Sequence, residues 1–344
     1  MSLAQTKVLF TGATGYIGGS VLNRLLSRPD ASKFEFTAVV RDAKKAETLR
    51  SFGVKTVIGS HSDASLMEDL ASKTDMVIAT ADCDDLVAAK ATLAGLKKKF
   101  QSSGVPPVYI NTSGTGVLTE DSKGLVLSDT IYDDTNPAQI ASLADTQMHR
   151  NVDLAVTNAD TEGYVKSFIV LPAIIYGYPT GRIIESGIQN GHSIIQPMLL
   201  RTALDRGRIG VVGQGKNMWP NVELHEVTDL FSLLIDAIAS NPQLDHGPNG
   251  YYFAENGEHT SYELSVAYGK VLAALGKLDN PEPTSYTQEE LNKYFGGSAV
   301  LGTNARCRAN HARAVLGWKP VKTTSDFFAS LGPEVERLLK RNQK

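Results

Sequence analysis

Short, continuously apolar segments alternate with segments whose apolar residues recur every three or four positions in the first third of the chain. Five apolar segments, at 8–10, 36–40, 55–59, 76–80 and 108–111, are typical of buried strands. Segments with helical spacing lie between them, at 20–26, 43–52, 64–72 and 84–100. This alternation predicts an α/β fold in which helices cover both faces of a doubly wound parallel sheet.

The pattern changes after Tyr262, where helical spacing dominates. It predicts helices over 262–275, 288–295, 305–316 and 325–341. A late apolar run at 251–253 precedes them and is typical of a strand. The C-terminal part of the chain is therefore predicted to be mainly helical.

A glycine-rich turn separates the first predicted strand from the first predicted helix. It reads Thr11-Gly12-Ala13-Thr14-Gly15-Tyr16-Ile17-Gly18. Gly12 would permit the tight turn, Gly15 would let the backbone approach a pyrophosphate, and Gly18 would let helix and strand pack closely. The free N–H groups and the positive dipole end of the helix would then face the anion. The alternative is a glycine turn without a ligand, but its place between strand and helix favours dinucleotide binding.

Composition and charge exclude several other classes of function. The 344 residues are 42% hydrophobic, which is enough for a large core. The net charge of −3 shows no excess of basic residues of the kind typical of nucleic-acid-binding proteins. No apolar run approaches the ~20 residues that span a bilayer. The stretch before the first strand is too short for a signal peptide. We therefore expect a cytoplasmic protein without nucleic-acid or membrane partners.

Cysteine and histidine positions give no sign of a metal site. Cys83 and Cys307 are the two cysteines and form no Cys-x-x-Cys motif, and the seven histidines do not pair at metal-ligand spacing. Two distant cysteines fit a reducing compartment. On this basis we expect no metal cofactor.

The turn resembles that of the extended and atypical short-chain dehydrogenase/reductase superfamily, both in the three-residue spacing of Gly12, Gly15 and Gly18 and in the residues between them. Residues 172–177 resemble the family's sixth strand and the loop after it, and residues 225–229 resemble its VHVxD stretch. The resemblance implies a nicotinamide cofactor bound by a Rossmann sheet and a smaller, mainly helical substrate domain. The implied division is 1–177 as the dinucleotide-binding domain, with 208–240 returning to it, and 178–207 with 241–344 as the substrate-binding region.

The residues after the second strand bear on the choice of cofactor. Arg41 follows the strand directly, and its guanidinium suits the 2′-phosphate of NADP(H), whereas Asp42 is the competing signal for NAD(H). Asp42 comes one residue later and is expected to point away, so NADP(H) is favoured. The cofactor residues implied by the motif and the resemblance are Gly12, Thr14, Gly15, Tyr16, Ile17, Gly18, Arg41, His61, Ala79, Thr80, Ala81, Thr112, His149, Pro172, Ile174 and Ile175.

The catalytic pattern departs from the family. Most members use a Tyr-x-x-x-Lys pair on one helix face, but no tyrosine of this chain has a lysine four residues later. The register before Pro172 places Asp145 at the tyrosine position and His149 at the lysine position, and a slip of one turn would put His149 at the tyrosine position instead. The hydroxyl after strand five is kept by Ser113. The candidate catalytic residues are therefore Ser113, His149 and Asp145.

His149 can exchange protons near neutral pH, and Asp145 could orient it. The alternative is a structural histidine that hydrogen-bonds Asp145 or Asp153. Candidates for contacting the substrate are Tyr176, Arg182 and Trp219, of which Tyr176 and Trp219 equally suit packing.

The leading hypothesis is an NADP(H)-dependent oxidoreductase that transfers hydride to or from the carbonyl or alcohol of a small organic molecule. Two alternatives stay open: a nucleotide-sugar-type epimerase or dehydratase, and a non-catalytic NADP-sensing protein like the NmrA-like regulators. The missing tyrosine–lysine pair counts against the first and favours the second. The expected partner is a small-molecule substrate, and a homodimer stays open.

Overall fold

The computed structural model describes residues 5–341 and shows an α/β fold. Its strands are β1 (Thr6–Thr11), β2 (Phe34–Val40), β3 (Lys55–Ile58), β4 (Met76–Ala79), β5 (Val108–Thr112), β6 (Glu120–Asp121), β7 (Tyr132–Asp133), β8 (Lys166–Pro172), β9 (Ile174–Tyr176), β10 (Gly210–Val211), β11 (Met218–Glu223), β12 (Tyr251–Ala254), β13 (Glu258–Thr260), β14 (Thr284–Ser285), β15 (Thr303–Asn304) and β16 (Cys307–Arg308). Its helices are α1 (Tyr16–Leu26), α2 (Ala43–Ser51), α3 (Ala64–Ala71), α4 (Leu86–Ser103), α5 (Pro137–Ala141), α6 (Arg150–Thr161), α7 (Arg182–Glu185), α8 (Ile195–Arg206), α9 (Leu224–Ser240), α10 (Ser261–Ala274), α11 (Gln288–Phe295), α12 (Asn310–Leu316) and α13 (Thr324–Arg341).

A seven-stranded parallel sheet forms the centre of the fold, in the order β12, β8, β5, β4, β1, β2, β3. The strand order runs outward from β1 in both directions, so the predicted doubly wound Rossmann sheet is confirmed. Residues 8–10 of β1 and 168–171 of β8 are almost completely buried, because the sheet is covered on both faces. Lys97, Lys98 and Lys99, in the second half of α4, each pair with a carboxylate.

Parallel pairing brings the ends of several strands to one edge of the sheet. Thr11 pairs with Ala79 between β1 and β4, and Thr112 pairs with Val170 between β5 and β8. The glycine turn after β1 and the segments after β4, β5 and β8 therefore leave the sheet at its carboxyl edge. Ligands of doubly wound sheets bind at this edge, next to the switch in strand order.

The second part of the fold contains a three-stranded sheet, in the order β13, β11, β9, and the helices α8, α10 and α13. These helices bury a separate apolar cluster that includes Leu200, Tyr268 and Phe327. The division into a dinucleotide-binding and a substrate-binding part stays a proposal, and β12, which lies within 241–344, pairs with β8 in the central sheet. No helix within residues 5–341 is both long and apolar enough to cross a membrane.

The helix expected to carry Asp145 and His149 starts later than predicted. α6 begins at Arg150, and His149 directly precedes it with φ = +66°. A left-handed residue cannot continue a right-handed helix, so the turn that holds Asp145 lies outside it. The predicted helical face that joins Asp145 to His149 is therefore wrong, whereas His149 and Asp153 do lie four residues apart at the start of α6.

The helix predicted over 305–316 is also shorter, because α12 begins only at Asn310. The residues before it make pairings outside any helix: Ala305 donates its backbone N–H to the Met218 carbonyl, and β16 pairs with β7. Pairing with distant strands overrides the local apolar spacing here. The other C-terminal helices and the strand at 251–254 are confirmed.

Candidate active site

The glycine turn after β1 has the close packing that its sequence predicts. Gly12 has φ = +75°, and a Cβ there would lie 2.6 Å from the Thr80 carbonyl oxygen. Gly15 donates its N–H to the Gly12 carbonyl at 2.8 Å, which closes the turn. A Cβ on Gly18 would collide with Gly12 O and Thr80 Oγ1, so helix α1 can approach strand β4 only because residue 18 is glycine.

The start of α1 is suited to an anion. Gly15 is the N-cap and brings no side chain to the first N–H groups, and the first turn contains no acidic residue. A Cβ on Gly15 would have one near neighbour, Gly12 O at 3.1 Å, so the space above this residue is open. Thr14 and Ile17 are partly exposed around it, whereas Tyr16 is buried and donates its hydroxyl to the Gly177 carbonyl at 2.6 Å. These observations fit the pyrophosphate of a dinucleotide.

Arg41 and Asp42 differ in the contacts that their side chains make. The Asp42 carboxylate accepts the N–H groups of Lys44 at 2.8 Å and Lys45 at 3.0 Å and so caps α2. These backbone hydrogen bonds, chiefly that from Lys45, hold the pKa of Asp42 below its usual value. Arg41 is exposed and makes no ion pair within residues 5–341. Asp42 therefore serves as a helix cap, and Arg41 is available at the strand end.

Several predicted cofactor residues share a pocket between β4 and β5. It encloses about 390 Å³, part of it open to solvent, and its walls include His61, Ala79, Ala81 and Thr112. His61 Nε2 and Thr112 Oγ1 are buried and lack a hydrogen-bond partner among the described residues. Such groups need a ligand or water to satisfy them. Thr80 has a different place, because its hydroxyl donates to the Thr11 carbonyl and packs on the glycine turn.

Ser113 lies at the carboxyl edge and is tied to a fully buried acid. Its Oγ donates to Asp153 Oδ2 at 2.9 Å, and Asn111 Nδ2 donates to the other carboxylate oxygen at 3.3 Å. Burial raises the pKa of Asp153 from 3.8 to about 7, although the bond from Ser113 and the charge of Arg150 act in the opposite direction. The hydrogen-bonded acid therefore titrates near neutral pH.

His149 is held by residues that follow β4. Its Nδ1 lies 2.7 Å from Asp84 Oδ1 and 3.3 Å from Cys83 Sγ. A Cβ built on Gly114, next to Ser113, would lie 3.4 Å from His149 Nε2, so the ring edge faces the segment after β5. The left-handed backbone of a non-glycine residue is strained, and such strain is retained where the surroundings determine it. Asp145 is exposed and makes no contact with this ring.

Cys83, Asp84 and His149 each place one possible ligand atom within 4.8 Å of the others, the one group of this kind in residues 5–341. Sequence spacing could not reveal it, because His149 comes from a distant segment. Burial, followed by the charge of Asp84, raises the pKa of Cys83 to about 12. The thiol therefore keeps its proton in this environment.

The three predicted substrate residues have different surroundings. Tyr176 is buried, stacks on Phe327 at 4.9 Å and donates its hydroxyl to the Thr323 carbonyl. The exposed guanidinium of Arg182 lies 5.0 Å from the Phe52 ring. Trp219 lines an apolar pocket beside Ile174. Pro172 and Ile175 are buried below it. Of the three, Trp219 has the surroundings expected of a substrate residue, because it lines this pocket.

The sequence prediction missed the partners of its catalytic candidates. Asp153 was considered only as a structural partner, and Asn111 and Asp84 were not considered at all. Asn111 and Ser113 lie two residues apart at the end of β5, so they share a side of the strand. This alternation, together with the carboxylate of Asp153 near the start of α6, was a signal that the sequence did contain.

The chain is similar to several known proteins in sequence and in fold. The NmrA-like family matches residues 4–111. The protein called oxidase ucsJ, from Acremonium sp., is 30% identical over 334 residues, which are 92% of this chain and 93% of that protein. An uncharacterized protein of Schizosaccharomyces pombe is 23% identical and covers 92% of this chain and 96% of its own.

Solved structures show the same fold. UDP-glucuronic acid 4-epimerase from Bacillus cereus, in complex with UDP-glucuronic acid and NAD, has a TM-score of 0.64 at 12% identity and covers 97% of this chain and 100% of its own. The dTDP-glucose 4,6-dehydratase DesIV from Streptomyces venezuelae, with NAD bound, has a TM-score of 0.64 at 18% identity and covers 98% of both chains. The chain belongs to the NAD(P)-binding Rossmann, short-chain dehydrogenase/reductase superfamily, as an atypical member without the Tyr-x-x-x-Lys pair.

Proposed function

We propose that the protein is an NADP(H)-dependent oxidoreductase that transfers hydride between the nicotinamide and the carbonyl or alcohol of a small organic molecule. The observation that carries this proposal is the Ser113–Asp153 hydrogen bond, which places a titrating proton at the sheet edge next to the dinucleotide cradle. Carbonyl reduction requires a proton donor at the carbonyl oxygen, and a hydroxyl that is itself hydrogen-bonded to a protonated acid can serve as that donor.

The cofactor would be held by the glycine turn and the end of β2. Gly12, Gly15 and Gly18 would admit the pyrophosphate, and Arg41 would pair with a 2′-phosphate, since Asp42 is already occupied as the cap of α2. The related structures named above carry NAD, so NADP(H) rests on Arg41 and Asp42 of this chain. When bound, the nicotinamide would supply or accept the hydride.

Ser113 and Asp153 would form a short proton relay. When Asp153 is protonated, it can donate to Ser113 Oγ, and the Ser113 O–H is then free to donate to a substrate carbonyl. As the carbonyl oxygen gains negative charge, the Ser113 proton moves to it and the Asp153 proton moves to Ser113. The products are the alcohol and an ionised Asp153. Reduction would therefore decline as the pH rises through the Asp153 pKa of about 7.

His149 would add a hydrogen-bond acceptor to the site formed by Ser113 and Asp153. If Asp84 accepts the Nδ1 proton, Nε2 keeps its lone pair and can accept a hydrogen bond from a substrate alcohol or a ribose hydroxyl. In this arrangement His149 takes the tyrosine position of the family pattern, directly before the helix, and Asp153 takes the lysine position. Asp145 has no part in this proposal, because it is exposed and outside the helix.

A non-catalytic NADP-sensing protein is the second candidate. It is favoured by the missing tyrosine–lysine pair and by the NmrA-like match over residues 4–111. A nucleotide-sugar epimerase or dehydratase is less well supported, because no tyrosine base stands at the start of α6.

A turnover screen with NADPH and a mixed panel of aldehydes and ketones would test the proposal, using the parent and the variants Ser113→Ala and His149→Phe. We expect measurable NADPH oxidation by the parent and a loss of roughly 10²-fold or more in Ser113→Ala, the usual range for acid–base groups. Ser102→Ala is the matched control, since Ser102 is exposed at the end of α4. NADPH binding by calorimetry without turnover of any substrate would instead support the sensor.

A further inference from the structure

An apolar pocket lies between the three-stranded sheet and helices α8 and α10. It encloses about 640 Å³, part of it open to solvent. Its walls include Ile195, Leu199, Val212, Leu264 and Leu301. No lysine, arginine, aspartate or glutamate is found among its lining residues in the described chain. A diphosphate group needs cations or several N–H donors, so this pocket is unsuited to the phosphates of a nucleotide sugar.

One wall of the pocket is joined through the chain to the sheet edge that carries Ser113. Ile174 and Trp219 form one wall, and Ile174 follows the end of β8 at Pro172 by two residues. Because Thr112 pairs with Val170, the next residues of the two strands, Ser113 and Leu171, continue side by side toward this edge. The chain therefore links one wall of the pocket to the strand that pairs with β5, the strand that leads to Ser113.

One polar group of the pocket wall has no partner. The Tyr286 hydroxyl is buried and makes no hydrogen bond among residues 5–341, although the residue is only 7% exposed. Its ring is fixed in place, because a Cβ on Gly210 would collide with it and the Arg206 guanidinium lies 5.0 Å from its centre. Burial raises the pKa of Tyr286 to about 12, so the hydroxyl is a donor at neutral pH.

The remaining polar wall residues are neutral or already paired. Ser265 donates to the Gly210 carbonyl and Ser261 to the Leu301 carbonyl. His259 is bonded through Nδ1 to the Asn221 amide, and burial lowers its pKa to about 4, so it carries no charge at neutral pH. The wall is thus apolar apart from one unsatisfied hydroxyl donor, and burying such a donor without a partner is costly.

We propose that this pocket binds a neutral, largely apolar, ring-containing molecule with an oxygen that accepts a hydrogen bond from Tyr286, and that it does not bind a nucleotide sugar. This inference rests on the proposed function, since it names the substrate class of that same site. The apolar rings would supply most of the affinity, and Tyr286 would set the orientation of the molecule in the pocket.

Two naphthalenes of nearly the same shape test the role of Tyr286. 2-Acetylnaphthalene has a carbonyl oxygen and 2-ethylnaphthalene has none, and their affinities for the NADPH-loaded protein can be compared by calorimetry with the protein as titrant. We expect Tyr286→Phe to weaken binding of the ketone by roughly 3- to 10-fold and to leave that of the hydrocarbon unchanged, because only the ketone loses a hydrogen bond. Equal effects on both ligands, or none, would overturn the assignment of Tyr286.

A variant whose pocket is filled by a larger side chain shows whether the naphthalenes bind there. Val300→Trp should block both naphthalenes, because Val300 lines the pocket, while Val315→Trp, on the exposed side of α12, should bind them as the parent does. UDP-glucose should show no binding that Val300→Trp removes, and the opposite result would overturn the substrate class. If NADPH binds but the naphthalenes do not, this inference fails and the proposed oxidoreductase stands. If the naphthalenes bind in this pocket while no carbonyl compound is reduced, the proposed function fails instead.

Discussion

Replacing Asp153 by asparagine should change how the stability of the protein depends on pH. In the folded parent the buried acid keeps its proton up to about pH 7, whereas in the unfolded chain it ionises near 3.8. Between pH 5 and 7 the folded state therefore binds the extra proton, and the free energy of unfolding falls as the pH rises. At about 1.4 kcal/mol for each pH unit, the fall through this group is about 3 kcal/mol. Above pH 7 the group is ionised in both states and adds no further change.

The asparagine introduced by Asp153→Asn would keep the size of the side chain and could donate to Ser113, but it would not titrate. The variant should gain about 3 kcal/mol relative to the parent on going from pH 5 to pH 8, an amount that structural relaxation would reduce. Urea unfolding at the two pH values measures both free energies. Other buried acids whose pKa is raised, such as Glu334 and Asp134, are present in both proteins and cancel in the comparison.

Asp69→Asn is the control, because Asp69 is exposed and pairs only with Lys73. Its stability relative to the parent should shift by less than about 0.5 kcal/mol over the same range. Parallel pH profiles for Asp153→Asn and the parent would refute the reasoning. They would mean that Asp153 ionises at its ordinary pKa in the folded protein, and the Ser113 relay would then have no proton to pass on at neutral pH.

The remaining predictions concern the cofactor. Gly15→Ala should keep the parent's thermal midpoint and weaken NADPH binding by roughly ten-fold or more, while Gly18→Ala should lower the midpoint, because only at Gly18 would the new Cβ collide with the protein itself. Calorimetry and thermal unfolding of both variants check this, and a reversed pattern would contradict it. Arg41→Ala should weaken NADPH by roughly ten-fold more than NADH, since one charge-assisted hydrogen bond is lost. Equal losses in titrations with the two cofactors would show that Arg41 does not contact a 2′-phosphate.

The central sheet could be predicted from the sequence because the residues that indicate each strand and helix lie within that element. Each of the first five strands is a short apolar run, and each connecting helix has its own apolar spacing and, for α2, α3 and α4, an aspartate cap. The predictions were wrong where contacts with distant parts of the chain determine the backbone conformation. Residues 305–309 lie outside any helix because they pair with β7 and with Met218, and no neighbouring residue indicates those partners.

The cofactor cradle could likewise be predicted, since the glycines that form it are contiguous. The proton relay could not, because Asn111, Ser113 and Asp153 come from two elements, and only burial gives Asp153 its unusual pKa. The same holds for His149. Its partners Cys83 and Asp84 follow another strand, and its left-handed backbone delays the start of the helix to Arg150.

In the slipped register that the proposed function uses, a carboxyl group stands where the family keeps a lysine cation, and burial explains how it could still serve reduction. A lysine there assists by its positive charge, which an ionised aspartate would reverse. Asp153 is 0% exposed, and the nearby Arg150 directs its guanidinium to the Tyr251 hydroxyl at 3.1 Å, so no direct ion pair holds the carboxylate. The acid therefore still carries its proton in a large share of molecules near pH 7, and the position would contribute a transferable proton in place of a fixed charge. On this reasoning a lysine at position 153 would not restore the family's chemistry, because His149, and not tyrosine, precedes the helix, and the buried ammonium would lie close enough to the Arg150 guanidinium to be repelled by it.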